Sequence, residues 1–332
     1  MKIAFLLVGV LFFIILIEYK NKICRMLNLV SLPNKETFHT KKSYLYGGIL
    51  LLPGIILGYL FVILYLKENL YFNLIMIISF FSIAILDDIY DLKPLFKIFF
   101  CSLFLVISIY FDNSLKLYHL NSYFFGLFIF SNNLFIIYLI PILCILLLVN
   151  AFNFVDGINC LAGLVGASIL TYLVLKNNEI INYIFVFYFL ILIFIFFNFK
   201  YSIFLGDSGN YLISTIIALL LIKENFYNPE LYYAEEIFLL LFIPGIDMLR
   251  LFCSRIMKRK NPMHGDKNHL HHLIFTKYGF NKTIFIYLAL INLPIYLYFL
   301  FQSNLAIILI ITFLAYVYLV YIGFLNKYKV KT

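Results

Sequence analysis

The sequence predicts an all-α, polytopic integral membrane protein with about eleven transmembrane helices and five polar loops on the cytoplasmic side. Of the 332 residues, 64% are hydrophobic and only 12% are charged, a composition that soluble globular domains do not have. Apolar runs of about 17 to 25 residues, the length that crosses a bilayer as a helix, recur along the whole chain. Basic residues are concentrated in alternate segments between these runs.

We expect the apolar runs to form a single transmembrane domain over residues 1–332, with no soluble domain. No small-residue cleavage site follows the first run, which favours a retained helix over a signal peptide. The run at residues 123–130 is too short to span and is expected at a membrane interface. The predicted spans are residues 3–19, 46–66, 70–86, 95–111, 133–149, 158–175, 180–198, 205–222, 236–256, 283–300 and 304–325.

The distribution of basic residues predicts the orientation. With the C-terminus placed inside, the inner segments hold 20 of the 25 Lys and Arg residues and the outer segments hold 5. Because Lys and Arg favour the cytoplasmic side, we expect the N-terminus outside and the C-terminus and polar loops inside. The net charge of +9 is then mainly a topology signal, which also favours anionic membrane lipids and gives no indication of nucleic-acid binding.

Acidic residues are gathered on the predicted inner side. An acid at a membrane boundary is costly unless it faces water, a metal or a partner. Carboxylates grouped on one face therefore favour a site for a divalent metal and phosphate, and so an enzyme. Seven of the eight Asp residues lie in or beside inner loops: Asp87, Asp88, Asp91, Asp156, Asp207, Asp247 and Asp266.

The first two inner loops each carry a candidate binding feature. Basic residues and His39 precede Gly47-Gly48, a pair that lets backbone approach a ligand; a simple topological anchor is the alternative. In the second loop, Asp87 and Asp91 would share a helical face beside Asp88. Three carboxylates this close need a cation or a retained proton, and hard oxygen ligands favour Mg²⁺ or Mn²⁺; a hydrated charged turn is the alternative.

The third and fourth inner loops add amides and two further carboxylates. Asn150, Asn153 and Asp156 would lie along one stripe at a helix end, where a helix cap is the alternative interpretation. The fourth loop contains Asn198 and then Gly-Asp-Ser-Gly at 206–209. We expect a tight turn that presents Asp207 to a metal and backbone N–H groups to phosphate, with a plain Asx turn as the alternative.

The fifth inner loop is long and basic, and it ends in His-Leu-His-His at residues 269–272. Histidines at this spacing suggest zinc, but no Glu or Cys completes a tetrahedral set. Phosphate contact by histidine and arginine donors is the interpretation that fits the neighbouring loops better.

The ordered set of these motifs resembles that of the polyprenyl-phosphate N-acetylhexosamine-1-phosphate transferases, the WecA/MraY superfamily, across essentially the whole chain. The motifs are Asp-Asp-x-x-Asp at 87–91, Asn-x-x-Asn-x-x-Asp-Gly at 150–157, Gly-Asp-Ser-Gly at 206–209 and His-x-His-His at 269–272. The resemblance implies a Mg²⁺-dependent enzyme of the bacterial cytoplasmic membrane, with five catalytic loops. It would transfer the sugar 1-phosphate of a UDP-N-acetylhexosamine to undecaprenyl or another polyprenyl phosphate, releasing UMP. The product would initiate a cell-envelope polysaccharide, such as O-antigen or teichoic acid.

The resemblance also assigns site residues. It places the metal on Asp207, with Asp87 and Asp88 as further ligands, and it has Asp87 deprotonate or orient the acceptor phosphate. Phe204 would stack on uracil. The catalytic carboxylates would be Asp87, Asp88, Asp91 and Asp156. Substrate contacts are expected from His39, Lys97, Asn150, Asn153, Asn159, Asn198, Phe204, Arg255, His269, His271 and His272.

Three positions depart from the family pattern. Asn159 stands where a second Asp is usual, Asn210 where Ser is common, and Tyr44 where Pro is common. These departures leave the nucleotide or sugar preference open. The sequence also leaves open the prenyl chain length and whether the protein forms a homodimer. The phospho-N-acetylmuramoyl-pentapeptide transferase of peptidoglycan synthesis is the alternative within the superfamily. A secondary transporter, which would place polar groups near the membrane midplane, and a zinc-dependent membrane hydrolase are the alternatives outside it.

Overall fold

The computed structural model describes residues 1–31, 43–68, 70–130, 133–201, 203–261, 268–302 and 304–329. These residues are predominantly helical, which confirms the predicted all-α class. The helices are α1 (Lys2–Met26), α2 (Gly47–Phe61), α3 (Tyr71–Tyr90), α4 (Pro94–Phe111), α5 (Leu134–Val155), α6 (Leu161–Lys176), α7 (Ile181–Lys200), α8 (Gly206–Tyr227), α9 (Ala234–Leu240), α10 (Phe242–Met257), α11 (Leu270–Tyr278), α12 (Phe280–Phe301) and α13 (Leu305–Lys329). A π-helical segment, Val62–Leu66, continues α2.

Eight helical segments in the described part of the chain are long and apolar enough to cross a membrane: those formed by α1, α2, α3, α4, α5, α7, α12 and α13. Helices α9 and α10 add a ninth if this pair, bent by 74°, forms one span. The predicted count of eleven is not confirmed. Helix α6 has only 16 residues, and the apolar part of α8 is shortened by Asp207 in its first turn and Lys223 and Glu224 near its end.

The helix boundaries have local causes. Asp91 follows α3 with φ of 51° in the left-handed region, which ends that helix. Pro94 occupies the first position of α4, where its missing N–H costs nothing. The short connection that results places the end of α3 beside the start of α4.

Two small β-sheets accompany the helices in the described part of the chain. In the first, β1 (Val30–Ser31) pairs antiparallel with β2 (Ser43–Leu45), and β2 pairs in parallel with β5 (Ile203–Phe204). This sheet holds the end of the first inner loop against the fourth. In the second, β3 (His119–Ser122) and β4 (Gly126–Ile129) form a hairpin with exposed aromatic side chains. The run predicted to lie at an interface is therefore a strand hairpin.

The described residues cluster into two compact units. The first comprises Met1–Tyr118 and Phe130–Leu231, and the second comprises His119–Ile129 and Tyr232–Thr332. In the first unit α8 is buried along nearly its whole length and packs against α3, α5 and α2. In the second unit α11 packs against α12 and α13. The single domain expected over residues 1–332 stays a prediction.

Candidate active site

The first unit gathers an acidic cluster from four helix ends. Asp87 lies in the last turn of α3, Lys97 in the first turn of α4, Asn153 in the last turn of α5 and Asp207 in the first turn of α8. The Lys97 Nζ atom lies 2.5 Å from Asp87 Oδ2 and 3.4 Å from Asp207 Oδ2. The Asn153 amide donates to Asp207 Oδ2 at 3.2 Å. Residues from the second, third and fourth inner loops therefore meet at one point.

Asp88 caps the start of α8. Its Oδ1 accepts the backbone N–H of Asp207 at 2.9 Å, and its Oδ2 accepts that of Ser208 at 3.0 Å. Gly206 has φ of +73°, and a Cβ there would lie 2.9 Å from Asp88 Oδ2. The Gly-Asp-Ser-Gly segment is thus the first turn of a helix and not the predicted tight turn. Both Asp88 oxygens thus hold this helix start, and its predicted role as a metal ligand stays a prediction.

Gly47 and Gly48 allow a close approach, but to the protein's own backbone. A Cβ on Gly47 would lie 2.7 Å from Leu205 Cα, and one on Gly48 would lie 2.7 Å from the Gly209 nitrogen. The Gly48 N–H donates to the Leu205 carbonyl at 3.2 Å. The pair therefore packs the start of α2 against the start of α8, where a ligand was predicted.

Asp91 does not belong to the acidic cluster. It is exposed and follows the end of α3 in a left-handed conformation, so the prediction that it shares a helical face with Asp87 is wrong. The local reason is that α3 ends at Tyr90, one residue too early for an i, i+4 pair.

Asp156 is joined to α8 by Asn210. The Asn210 amide donates to Asp156 Oδ2 at 2.8 Å and to the Gly206 carbonyl at 3.0 Å. Removal of the Asp156 carboxyl from solvent raises its pKa to about 7, an effect that the charge of Asp88 increases and the Asn210 hydrogen bond opposes. Asn210, a departure from the family pattern, is therefore a structural part of the cluster.

Two of the predicted substrate contacts serve the backbone instead. The Asn198 amide accepts the N–H of Cys160 and donates to the Ile203 carbonyl, and the side chain is buried. The Asn150 amide donates to the Leu146 carbonyl of its own helix at 2.7 Å. Asn159 and Phe204 are partly exposed, and their contacts with substrate stay predictions. His39 and Asp266 lie outside the described residues.

A metal ligand set is not complete in this geometry. Across the described ranges, no group of three or more His, Cys, Asp or Glu side chains is arranged to hold a metal ion. Asp87 and Asp207 supply hard carboxylate oxygens of the kind that Mg²⁺ prefers, and Lys97 is the cation that these two carboxylates share. The donors fit Mg²⁺ in chemical type, and metal binding stays a prediction.

The second unit contains a cluster built around one buried carboxylate, Asp247 on α10. Its Oδ1 accepts from Arg250 Nη2 at 2.8 Å and from the Tyr316 hydroxyl on α13 at 2.9 Å. Its Oδ2 accepts from the Leu270 N–H at 3.1 Å and lies 3.2 Å from His269 Nδ1. Side chains of α10 and α13 and the start of α11 therefore meet at Asp247.

His269, His271 and His272 are all buried, and their rings lie close to one another. His271 is 1% exposed, packs near Tyr287 and stacks against His269 with ring centroids 5.5 Å apart. Burial, with the neighbouring charges of His272 and His269, holds the pKa of His271 well below its usual range. A ring that is held neutral carries no charge to attract a phosphate, so a charge-assisted contact is not supported for His271. Arg255 is also buried.

Tyr316 is the residue that sequence reasoning missed. It lies 69 positions from Asp247, on an apolar helix, in a chain that contains 27 tyrosines. Nothing in the local pattern distinguishes it from the many tyrosines that pack against lipid.

Comparison with known proteins agrees with the motif pattern. Residues 70–225, which include the whole acidic cluster, match the sequence profile of glycosyl transferase family 4. A protein of Thermotoga maritima is 25% identical over 232 residues, covering 69% of each chain. A protein of Escherichia coli strain K12 is 24% identical over 301 residues, covering 84% of this chain and 78% of its own.

A Haemophilus influenzae protein is 36% identical over 76 residues, covering 23% of this chain and 21% of its own. Each of the three relatives is named undecaprenyl-phosphate alpha-N-acetylglucosaminyl 1-phosphate transferase. The matched profile, the ordered motifs and the convergence of the loops together make this chain similar to the glycosyl transferases of family 4.

Proposed function

We propose that this protein transfers the N-acetylhexosamine 1-phosphate group of a UDP-sugar to polyprenyl phosphate, with undecaprenyl phosphate as the acceptor and UDP-N-acetylglucosamine as the donor. A phosphate oxygen of the acceptor attacks the β-phosphorus of the UDP-sugar. The bond between the β-phosphorus and the bridging oxygen breaks, UMP leaves with that oxygen, and a polyprenyl-diphospho-sugar forms. The relatives' names support this choice of substrates.

The observation that carries the proposal is the shared contact of Lys97 with Asp87 and Asp207. Phosphoryl transfer depends mainly on positioning and charge neutralisation. Here an ammonium and two carboxylates, drawn from two different loops, are held together with the Asn153 amide. All four residues lie at helix ends, as suits a reaction between a membrane lipid and a water-soluble nucleotide.

Each side chain has a proposed part. Lys97 binds a phosphate oxygen, and Asp87 orients the acceptor phosphate through the Lys97 ammonium. Asp88 holds the first turn of α8 so that Asp207 faces the reacting phosphates. Asn159 and Phe204 contact the uridine.

Mg²⁺ is proposed as the cofactor, with Mn²⁺ as a substitute. Asp207 and Asp87 would hold it, since these are the two carboxylates that share the Lys97 ammonium. A metal bound there would neutralise charge on the diphosphate.

We also propose that the acidic cluster faces the cytoplasm of a bacterium, as the distribution of basic residues predicts. Single cysteines at Asn268 and Asn228, in a background without the native cysteines, would test this with a membrane-impermeant thiol reagent on intact cells. Labelling of position 228 alone is expected. Labelling of position 268 would contradict the orientation.

The decisive experiment measures UMP release by the purified protein with undecaprenyl phosphate, Mg²⁺ and a panel of UDP-sugars. Release is expected only with lipid present and with a UDP-N-acetylhexosamine. Release with UDP-N-acetylmuramoyl-pentapeptide alone would favour the other superfamily branch. Release without lipid would indicate a hydrolase, and restoration of chelated enzyme by Zn²⁺ and not by Mg²⁺ would indicate a zinc enzyme. Absence of release with every donor would contradict the proposal.

A further inference from the structure

We propose that Tyr316 is a positioning residue for His269, acting through the Asp247 carboxylate. The inference rests on the proposed function for its kinetic consequence, because His269 is expected to contact a substrate phosphate. The positioning of His269 by Tyr316 is inferred from contacts within the second unit alone.

The Asp247 carboxylate is ionised, and both of its oxygens accept hydrogen bonds. The Arg250 guanidinium, which is always charged, donates to Oδ1 through Nη2 at 2.8 Å and through Nε at 3.3 Å. An ionised carboxylate only accepts hydrogen bonds, so the His269 Nδ1 atom facing Oδ2 at 3.2 Å carries the hydrogen. This contact places a hydrogen on Nδ1 and fixes the orientation of the imidazole ring.

Tyr316 controls the direction in which this carboxylate points. Its hydroxyl donates to Asp247 Oδ1 at 2.9 Å and accepts from Arg250 Nε at 2.8 Å. The carboxylate is planar, so two partners that hold Oδ1 also fix where Oδ2 lies. Oδ2 is the oxygen that faces His269 and accepts the Leu270 N–H at 3.1 Å. Tyr316 therefore transmits a constraint from α13 to the imidazole without contacting it.

The same arrangement fixes the backbone before α11. Arg250 Nη2 donates to the Asn268 carbonyl at 2.6 Å, and Asp247 accepts from the first N–H of α11. A carboxylate at a helix N-terminus is stabilised by the partial positive charge of the exposed N–H groups. Both the ring and the main chain of His269 are thus held from α10, and Tyr316, which is 3% exposed, completes the set from α13.

A double-mutant cycle on UMP release tests the kinetic role. Tyr316→Phe keeps the ring and removes the hydroxyl, and we expect it to lower kcat/KM for the UDP-sugar about tenfold while the KM for polyprenyl phosphate changes less than about twofold. In a His269→Ala background, Tyr316→Phe is expected to change kcat/KM less than about twofold. Tyr318→Phe is the matched control, since Tyr318 lies on the same helix and is 62% exposed. Equal losses from Tyr316→Phe in both backgrounds would overturn the inference.

A second measurement does not depend on the substrate. Diethyl pyrocarbonate modifies imidazole nitrogens, and mass spectrometry of fragmented peptides locates the modified histidine. The rate at His269 is expected to rise several-fold in Tyr316→Phe and to stay unchanged in Tyr318→Phe. An unchanged rate in both variants would overturn the positioning role. If the wild type released no UMP from any donor, the proposed function would fail, and this labelling result would still decide the role of Tyr316.

Discussion

The two polar clusters of this protein have opposite charge balances. In the first unit the cluster around the start of α8 has four carboxylates and one ammonium: Asp87, Asp88, Asp156, Asp207 and Lys97. In the second unit a single carboxylate, Asp247, is surrounded by the donors of Arg250, Tyr316 and His269. One cluster therefore has acceptors in excess, and the other has donors in excess.

This difference indicates which ligand each cluster favours. Excess carboxylate repels itself until a cation or a proton neutralises it, which favours a metal. Excess Arg and His donors favour the oxygens of an anion such as phosphate. The contrast teaches that the balance of charges in a cluster, and not the number of polar residues, determines its chemistry.

The largest expected effect comes from Asp207→Asn, which removes a charge from the acid-rich cluster with little change of shape. We expect UMP release to fall more than ~100-fold, a loss of about 2.7 kcal/mol in transition-state stabilisation. The exposed Asp91→Asn is the matched control and should stay within about threefold, about 0.7 kcal/mol. Retention of more than about a tenth of wild-type activity by Asp207→Asn, a loss under ~1.4 kcal/mol, would exclude Asp207 as a metal ligand.

Substitutions of Asp88 test whether this carboxylate supports the fold or binds the metal. Asp88→Ala leaves the N–H groups of Asp207 and Ser208 without their acceptors, so we expect about 1–2 kcal/mol less stability. Asp88→Asn keeps one oxygen acceptor, so its stability should lie between that of the wild type and that of Asp88→Ala. Thermal unfolding in detergent and the Mg²⁺ concentration for half-maximal activity are the measurements. A changed Mg²⁺ requirement with unchanged stability would identify Asp88 as a metal ligand.

The two clusters should respond to pH in opposite directions. Because the folded pKa of Asp156, about 7, lies above the unfolded value of about 3.9, the native state binds more protons between these values. Stability from this group therefore falls as pH rises through that window. Asp156→Asn should lose less stability than wild type between about pH 5 and pH 8, by on the order of 1 kcal/mol, with Asp91→Asn as control.

His271 gives the opposite sign. Its folded pKa lies below the unfolded value of about 6.5, so the unfolded state binds more protons below that pH and stability is lost on acidification. His271→Asn should therefore lose less stability than wild type between about pH 7 and pH 5. Melting curves of the wild type, Asp156→Asn and His271→Asn over both pH ranges check these two expectations. Identical slopes for wild type and His271→Asn would show that this ring is not held neutral.

The smallest expected effect adds a carboxylate to the acid-rich region. Asn159→Asp should change the KM for the UDP-sugar several-fold, about 1 kcal/mol, because a charged acceptor replaces a neutral one. The KM for polyprenyl phosphate should hardly change. Two-substrate kinetics under one detergent and Mg²⁺ concentration give the answer, and a shift confined to the lipid substrate would remove Asn159 from the nucleotide side.

The sequence predicted much of the acidic cluster because its residues lie at the ends of apolar runs. The motifs predict Asp87, Asn153 and Asp207, and in the structure Lys97 joins the two carboxylates while Asn153 bonds Asp207. The prediction that Asp91 shares a helical face with Asp87 is wrong, because α3 ends one residue before Asp91. Such an ending depends on backbone conformation, which a motif does not specify.

By itself the sequence determined the helical class, the membrane environment and the order of the motifs, since apolar length and charge distribution are properties of the chain. Only the tertiary structure decided that Asp88 caps α8, that Gly47 and Gly48 pack against backbone, and that Tyr316 bonds Asp247. These are contacts between residues far apart in the chain. A hydrogen bond depends on distance and direction in space, and neither is encoded in the local pattern around either partner.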